Sequence, residues 1–239
     1  MKRTTLLSTL FASLLLTQIA AADTLALWTF ETVPSTLSYL PGANTVTTNF
    51  YAEGGLQAGT AAANGFHVAS STYSSPSGNG PLRSLSANSW AVNDYYQFTL
   101  NTVGYQDIAL SFDQTGSGTG PSTFGLFYSV NGGSYSQFGA NYTVLVNAAP
   151  NPTWGATFSG LYTTSFNLSS VIALNQAATV AFRLVDMNTT SLAGGTVASG
   201  GTDRVDNFTV TALPVPEPAV GAILCGFGLL GLFMSSRRR

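Results

Sequence analysis

Residues 95–133 read YYQFTLNTVGYQDIALSFDQTGSGTGPSTFGLFYSVNGG, and this stretch decides the fold class. Apolar residues recur at every second position in three runs, as expected of strands that bury one face. Asn131-Gly132 follows the run that ends at Val130. Both residues tolerate a positive φ, so the pair predicts a hairpin turn. The three runs are Tyr96/Phe98/Leu100, Ile108/Leu110/Phe112 and Phe124/Leu126/Tyr128/Val130.

The same alternation continues on both sides of this stretch. In the run that buries Val180, Phe182 and Leu184, the alternate residues Ala181 and Arg183 face away from the buried row. Residues 169–175 (SSVIALN) are the one segment that suggests a short helix or turn, with Ser169 or Ser170 as its cap. Many short strands joined by Gly- and Asn-rich turns predict an all-β antiparallel sandwich of jelly-roll type. The outlying buried rows are Trp28/Phe30, Val180/Phe182/Leu184 and Phe208/Val210.

Charge is scarce and unevenly placed. Charged residues make up 8% of the chain, and between Asp23 and Leu213 only Arg83, Arg183 and Arg204 stand against nine acidic residues. Such a domain lacks the positive surface that binds nucleic acid, so nucleic-acid binding is excluded as a function.

The N-terminus has the pattern of a secretory signal peptide. Lys2 and Arg3 precede an apolar core, and Ala20-Ala21-Ala22 provides small residues for cleavage by signal peptidase. Cleavage after Ala22 would start the mature chain at Asp23. We therefore predict a signal-peptide helix over 1–22 and an exported β-sandwich domain over 23–213.

The C-terminus combines three features over 214–239. Pro216, Glu217 and Pro218 form an extended corner, an apolar helix of about 219–236 is just long enough to span a bilayer, and an arginine cluster follows. This order resembles the PEP-CTERM sorting signal of exopolysaccharide-producing bacteria. The cluster is Arg237, Arg238 and Arg239.

The PEP-CTERM resemblance implies a delivery route. An exosortase-type membrane enzyme would cut near the motif while the C-terminal helix holds the protein in the inner membrane. The protein would then reach the cell surface or extracellular matrix. The alternative is a permanent membrane anchor in which Pro-Glu-Pro is only a linker.

A weaker resemblance concerns the domain itself. Residues 95–133, together with LALWTFE (25–31) and DRVDNFTVTAL (203–213), are similar to exported jelly-roll domains that precede this signal. The resemblance implies that the first and last strands pair or lie near each other, and that a structural calcium lies between them. Glu31, Asp206 and Asn207 would supply its oxygen ligands. The alternative is that Glu31 and Asp206 are surface charges, or that one pairs with Arg204 or Arg183.

Catalytic patterns are weak. His67 is the one histidine and supports no nucleophile-histidine-acid arrangement, while one His and one Cys cannot hold zinc. A glycosidase pair would need two carboxylates at a working separation, which the sequence does not fix. We predict no enzyme activity. The candidate carboxylates are Asp113, Asp186, Asp203 and Asp206.

Aromatic side chains offer a different function. Trp90 and Trp154, with Tyr95 and Tyr162, could serve as platforms for sugar rings, although aromatic residues in a sandwich are commonly core. The main prediction is an exported structural or adhesive protein associated with exopolysaccharide, without a cofactor apart from the calcium hypothesis. A carbohydrate-binding module is the alternative, and a polysaccharide-active enzyme is third.

Overall fold

Two β-sheets form the described part of the chain. The structure is a computed structural model that describes residues 21–32, 50–69, 73–80 and 82–216. The strands, in chain order, are β1 (Asp23–Trp28), β2 (Phe50–Tyr51), β3 (Ala62–Phe66), β4 (Tyr73–Ser74), β5 (Leu85–Ala87), β6 (Tyr95–Leu100), β7 (Tyr105–Gly116), β8 (Thr123–Val130), β9 (Ser136–Thr143), β10 (Leu145–Val146), β11 (Thr163–Asn167), β12 (Val180–Asp186) and β13 (Asp203–Pro214).

The first sheet is built around the two longest strands, β7 and β13. They pair antiparallel, β13 also pairs with β1 and β5, and β7 also pairs with β11 and, in parallel, with β10. Strand β4 continues the sheet beyond β5. The prediction that the first and last strands pair or lie near each other is confirmed: they pair, with Asp23 opposite Ala212 and Trp28 opposite Phe208.

The second sheet has six antiparallel strands in the order β2-β3-β6-β12-β8-β9. Strand β12 therefore lies between β6 and β8, although 49 residues of sequence separate it from β8. The predicted hairpin joins β8 to β9: Asn131 and Gly132 have φ of 50° and 74°, and Gly133 N donates to Val130 O at 3.0 Å. This double positive φ suits the twist of the flanking strands.

The core lies between the two sheets and is rich in aromatic rings. Phe98 of the second sheet stacks on Phe208 of the first, with ring centroids 3.5 Å apart and planes 4° from parallel. Trp28 and Phe112 pack against Phe208 from β1 and β7. All four side chains are at most 1% exposed. The prediction of an all-β sandwich is confirmed in this two-sheet architecture.

Helix is confined to single turns within the described residues. Two 3-10 turns are present, at Gly160–Tyr162 and Ile172–Leu174. The second falls in the segment predicted as a short helix or turn, but its N-cap is Val171 and no side chain caps it, so the capping role predicted for Ser169 or Ser170 was wrong. A search of the same described ranges finds no helix with the length and apolar character to span a bilayer.

The two termini carry predictions that fall largely outside the described residues. Ala20, Glu217, Pro218 and the arginine cluster 237–239 belong to the undescribed ends, as do both predicted terminal helices. Ala22 is exposed directly before β1, and Pro216 is exposed two residues after β13.

Candidate functional site

The outer surface of the second sheet carries two rows of side chains that cross neighbouring strands. The buried residues of β6 are Tyr96, Phe98 and Leu100, so the alternate positions face outward. In the described ladders, residues directly opposite one another share a face. One row is Asn64, Gln97, Arg183, Phe127 and Gln137; the other is Phe66, Tyr95, Val185 and Gly125. We call this surface, together with Asn93, Tyr135 and Asn141 beside it, the aromatic face.

Arg183 lies at the centre of the aromatic face between two tyrosine rings. Its guanidinium carbon is 3.8 Å from the ring centroid of Tyr95 and 3.6 Å from that of Tyr135. Arg183 Nε donates to Gln97 Oε1 at 2.7 Å, and the Tyr135 hydroxyl donates to the same oxygen at 2.8 Å. Two cation–π contacts and a shared acceptor hold the four side chains in one arrangement.

Tyr135 comes from the hairpin between β8 and β9 rather than from a strand. Burial raises the pKa of Tyr135, while the charge of Arg183 opposes that rise. The phenol therefore stays neutral at physiological pH and keeps the proton that it donates to Gln97.

Further rings and amides surround this centre. Phe66 stacks on Tyr95 with centroids 5.5 Å apart, and the Gln137 amide donates to Asn141 Oδ1 at 2.7 Å. At Gly125, any Cβ would come within 3.0 Å of Phe127 Cε2, so glycine leaves the space that this ring occupies.

A shallow cavity of about 180 Å³ opens over this centre. It provides an indentation with aromatic walls, an amide and a cation, which is the composition of a site for a polar ligand with apolar faces. Its lining residues are Asn93, Tyr95, Phe127, Tyr135, Arg183 and Val185.

The two tryptophans predicted as sugar platforms lie elsewhere and are buried. Trp90 is 6% exposed, donates from its indole nitrogen to Ala87 O, and packs on Tyr96 with centroids 5.0 Å apart. Trp154 is 3% exposed, and its indole nitrogen donates to Ser77 O at 2.7 Å. Neither ring offers a free face for stacking. Both tryptophans are therefore core residues, which was the alternative to the prediction that they are platforms for sugar rings.

Of the four aromatic residues considered, Tyr95 is the one that belongs to the aromatic face. Tyr162 is 2% exposed and packs edge-on against Trp154. Sequence reasoning did not select Tyr135, Phe127 or Gln97. The outward orientation of Arg183 was predicted correctly from strand alternation, but nothing in its own strand indicated which aromatic rings would flank it.

A second polar cluster lies where β13 meets β7. Asp206 is opposite Asp113, and Asn207, with φ of 50°, interrupts the ladder at a bulge. The Asn207 amide nitrogen donates to Asp113 Oδ2 at 2.8 Å and approaches Asp206 Oδ2 at 3.5 Å. The amide thus separates two buried carboxylates.

Burial controls the protonation of this cluster. Desolvation raises the pKa of Asp206 to about 8, the backbone N–H groups of Asn79 and Asn207 oppose it, and the charges of Asp113 and Glu31 add to it. Asp206 therefore holds a proton over much of the physiological range.

The residues predicted to bind calcium do not form a calcium donor set in this arrangement. Both Asp206 oxygens accept backbone N–H groups, Asn207 turns its nitrogen toward the carboxylates, and Glu31 Oε1 accepts from Arg83 N at 2.8 Å. Among the described residues, no group of three or more His, Cys, Asp or Glu side chains is placed to hold a metal ion. The calcium site stays a prediction that this geometry does not support.

His67 is buried in the core rather than in a catalytic arrangement. Its Nδ1 lies 3.1 Å from Asp94 Oδ2, and both side chains are fully buried. Asp94 accepts the backbone N–H groups of Val68 and Ala91, and the His67 ring packs edge-on against Trp90 at 4.4 Å. These contacts place His67 in the interior, although neither of its ring nitrogens makes a hydrogen bond within the described part of the chain.

Comparisons with known proteins identify similar folds at low similarity. No protein-family model and no curated protein matches the chain. The Clostridium thermocellum xylanase 10B fragment solved with xylohexaose is 13% identical with a TM-score of 0.43, over 82% of this chain and 30% of that one. The xylan-binding domain of Paenibacillus barcinonensis Xyn10C is 12% identical with a TM-score of 0.40, over 82% and 99%.

Another similar structure is an adhesin. The K2 cleaved adhesin domain of Lys-gingipain is 14% identical with a TM-score of 0.40, over 80% of this chain and 97% of that domain. At these identities and scores the likenesses carry no functional argument.

Proposed function

We propose that the β-sandwich binds a carbohydrate on the aromatic face. The observation that carries the proposal is Arg183, held between the rings of Tyr95 and Tyr135 at the centre of a partly exposed sheet surface. Sugar rings have apolar C–H faces that pack on aromatic rings and hydroxyls that exchange hydrogen bonds with amides and guanidinium groups. The aromatic face presents both kinds of group side by side. Arg183 and Phe66 cover the two faces of Tyr95, so the rings of Phe127 and Tyr135 are the apolar surfaces left for a sugar.

Preorganisation supports binding rather than a passive surface role. Gln97 Oε1 accepts from both Arg183 and Tyr135, so these side chains are already ordered before a ligand arrives. Ordering long side chains on binding costs affinity, and an ordered site avoids that cost.

The shape of the face favours an extended ligand. The row from Asn64 to Gln137 crosses five strands, which is about 19 Å at the usual spacing between neighbouring strands. An oligosaccharide or a segment of polysaccharide fits this length better than a single sugar does. The Paenibacillus domain with a similar fold is a xylan-binding domain. The proposal for this chain rests on the aromatic face of this chain and not on that likeness.

The proposal is for binding without turnover. The four carboxylates considered for a glycosidase pair are each at most 2% exposed, so none of them lines the aromatic face. A polysaccharide bound across the face would meet rings and amides, with no acid and base in reach. The four are Asp113, Asp186, Asp203 and Asp206.

A glycan array with the full-length protein tests this function. Tyr135→Ala should weaken binding to the selected glycan by about tenfold or more, because it removes a ring and a hydrogen-bond donor from an ordered site. Phe158→Ala is the control on another surface, since Phe158 is 60% exposed and lines a separate cavity with Ser111 of β7 and Thr209 of β13. Equal losses in both variants, or no binding by the unchanged protein, would count against the proposal, and the second result would favour the predicted structural or adhesive role.

We also infer delivery of this domain to the cell surface or extracellular matrix. The support is the signal-peptide pattern ending at Ala22 and the Pro216-Glu217-Pro218 corner followed by the apolar segment and arginines. An exopolysaccharide at that location would supply the carbohydrate.

A further inference from the structure

Among the described residues, no carboxylate lies within 4.0 Å of the basic nitrogens of Arg183. In the described ranges, one contact within 4.0 Å joins a basic and an acidic side chain, and it is between His67 and Asp94. Arg183 uses a neutral acceptor, the Gln97 oxygen, and two neutral rings. These partners hold the guanidinium in position without neutralising it.

The nearest acids in sequence are turned away from the aromatic face. Asp186 ends the same strand, and Asp94 precedes Tyr95 on β6, but both carboxylates are fully buried. The backbone N–H groups of Val68 and Ala91 occupy Asp94, and Asn188 N approaches Asp186 Oδ1 at 3.3 Å. The residues that line the cavity around Arg183 include no acid.

A partly exposed guanidinium with fixed orientation and no counter-charge is suited to bind an anion. Its planar fork matches the two oxygens of a carboxylate, which a point-like ammonium group does not. The surrounding rings and the amide of Asn93 are suited to a sugar ring rather than to a free inorganic ion.

We propose that the aromatic face selects acidic polysaccharides, with Arg183 binding the carboxylate of a uronic acid residue. The proposal rests on the proposed carbohydrate function and names the ligand class for the same site. Arg183 is its specificity-determining residue, while Tyr95, Tyr135 and Gln97 position the guanidinium.

The acidity of the domain makes this selection a short-range effect. Between Asp23 and Leu213 nine acidic residues stand against three arginines, and the acids still outnumber the arginines when the buried Asp203 and Asp206 are protonated. The domain therefore repels a polyanion at distances beyond the contact itself. Non-specific adsorption of polyanions to the domain is therefore disfavoured, and the proposal assigns binding to the oriented cation of the aromatic face. Moderate salt should screen the long-range repulsion. The affinity for the polymer should therefore fall less steeply with ionic strength than the affinity of a basic surface for a polyanion does.

The first experiment needs no mutation. Calorimetric titration of the full-length protein compares polygalacturonate, the same polymer after methyl esterification, a neutral glucan and dextran sulfate. We expect the free acid to bind at least about tenfold more tightly than its ester, because the ester removes the charge and keeps the sugar backbone. Equal affinity for acid and ester would overturn the uronate proposal while leaving carbohydrate binding intact.

The other two ligands separate the remaining outcomes. Dextran sulfate binding as tightly as polygalacturonate would overturn carboxylate selection in favour of a general anion site. A higher affinity for the neutral glucan than for polygalacturonate would also overturn carboxylate selection. Binding to none of the four polymers would reject both this inference and the function on which it rests.

The second experiment assigns the preference to Arg183. Arg183→Gln should abolish the preference for free acid over ester, and Arg183→Lys should restore only part of it, because lysine keeps the charge without the planar fork. Arg83→Gln is the charge-matched control, since it removes one positive charge from a site outside the aromatic face. Loss of the acid preference in Arg83→Gln, or its retention in Arg183→Gln, would overturn the assignment.

Discussion

At the scale of single residues, the interior between the sheets contains carboxylates that burial forces toward the neutral form. Asp186 and Asp203 are fully buried, and each keeps one side-chain oxygen without a hydrogen-bond partner in the described part of the chain. Burial raises the pKa of Asp186 to about 6, with the backbone N–H groups of Asn188 and Met187 opposing and Asp94 adding to the rise. Ionisation of Asp186 is therefore coupled to folding.

Replacing Asp186 should change how stability depends on pH. The unfolded side chain loses its proton near pH 4 and the folded one near pH 6, so the stability that Asp186 contributes is present below pH 4 and is lost as pH rises to about 6. Relative to the unchanged protein, Asp186→Asn should gain on the order of 1–2 kcal/mol across this window. Urea unfolding at several pH values measures the difference.

Asp107→Asn is the control for this pH experiment, because Asp107 is partly exposed and the same chemical change is made. Stability curves for Asp186→Asn and the unchanged protein that run parallel from pH 4 to 6 would contradict the coupling.

At the scale of elements, the contact between the sheets is concentrated in a few rings. Phe98 on β6 and Phe208 on β13 stack face to face, and Trp28 meets both rings edge-on. Close packing at these positions joins the last strand of the first sheet to a central strand of the second.

A double-mutant cycle should detect an energetic coupling between Phe98 and Phe208. Phe98→Leu and Phe208→Leu should each destabilise the fold by about 1–3 kcal/mol, and the pair should show a coupling of about 0.5–1.5 kcal/mol, because each single change already removes the stacking contact. Chemical denaturation of the two single variants and the double variant gives these values. Phe158→Leu, at an exposed aromatic position, should change stability little. Strictly additive effects of the two core changes would contradict the coupling between Phe98 and Phe208.

At the scale of the whole molecule, the described fold ends where the predicted sorting motif begins. Strand β13 ends at Pro214, Val215 N donates to Gly104 O at 2.8 Å, and Pro216 is exposed. Cleavage near Pro216-Glu217-Pro218 would therefore break none of the described strand pairs, and the domain could be released intact.

Intact mass of the protein from its native host checks this processing. We expect a released species that begins at Asp23 and ends between residues 215 and 218. In Glu217→Ala the unprocessed form should accumulate in the membrane fraction, because the substitution changes the Pro-Glu-Pro corner that we propose as the recognition site. Ser236→Ala alters the tail outside the motif and should be processed normally, whereas a single membrane form ending at Arg239 in the unchanged protein would indicate a permanent anchor.

Strand alternation was enough to predict the all-β class, the inward rows of β6, β7, β8 and β12, and the hairpin at Asn131-Gly132. These features follow from local geometry, because side chains alternate between two faces and only some residues accept a positive φ. The pairing of first and last strands came from resemblance rather than from any local pattern.

Tertiary structure alone decided which outward side chains share a site. Gln97, Arg183 and Phe127 become neighbours because β12 is placed between β6 and β8, and no sequence period encodes that order. It also decided that Trp90 and Trp154 are buried, since both lie outside the alternating runs and their indole N–H groups find carbonyl partners inside the fold. The sequence by itself thus determined the faces of individual strands, whereas the binding surface required the long-range packing that sets strand order.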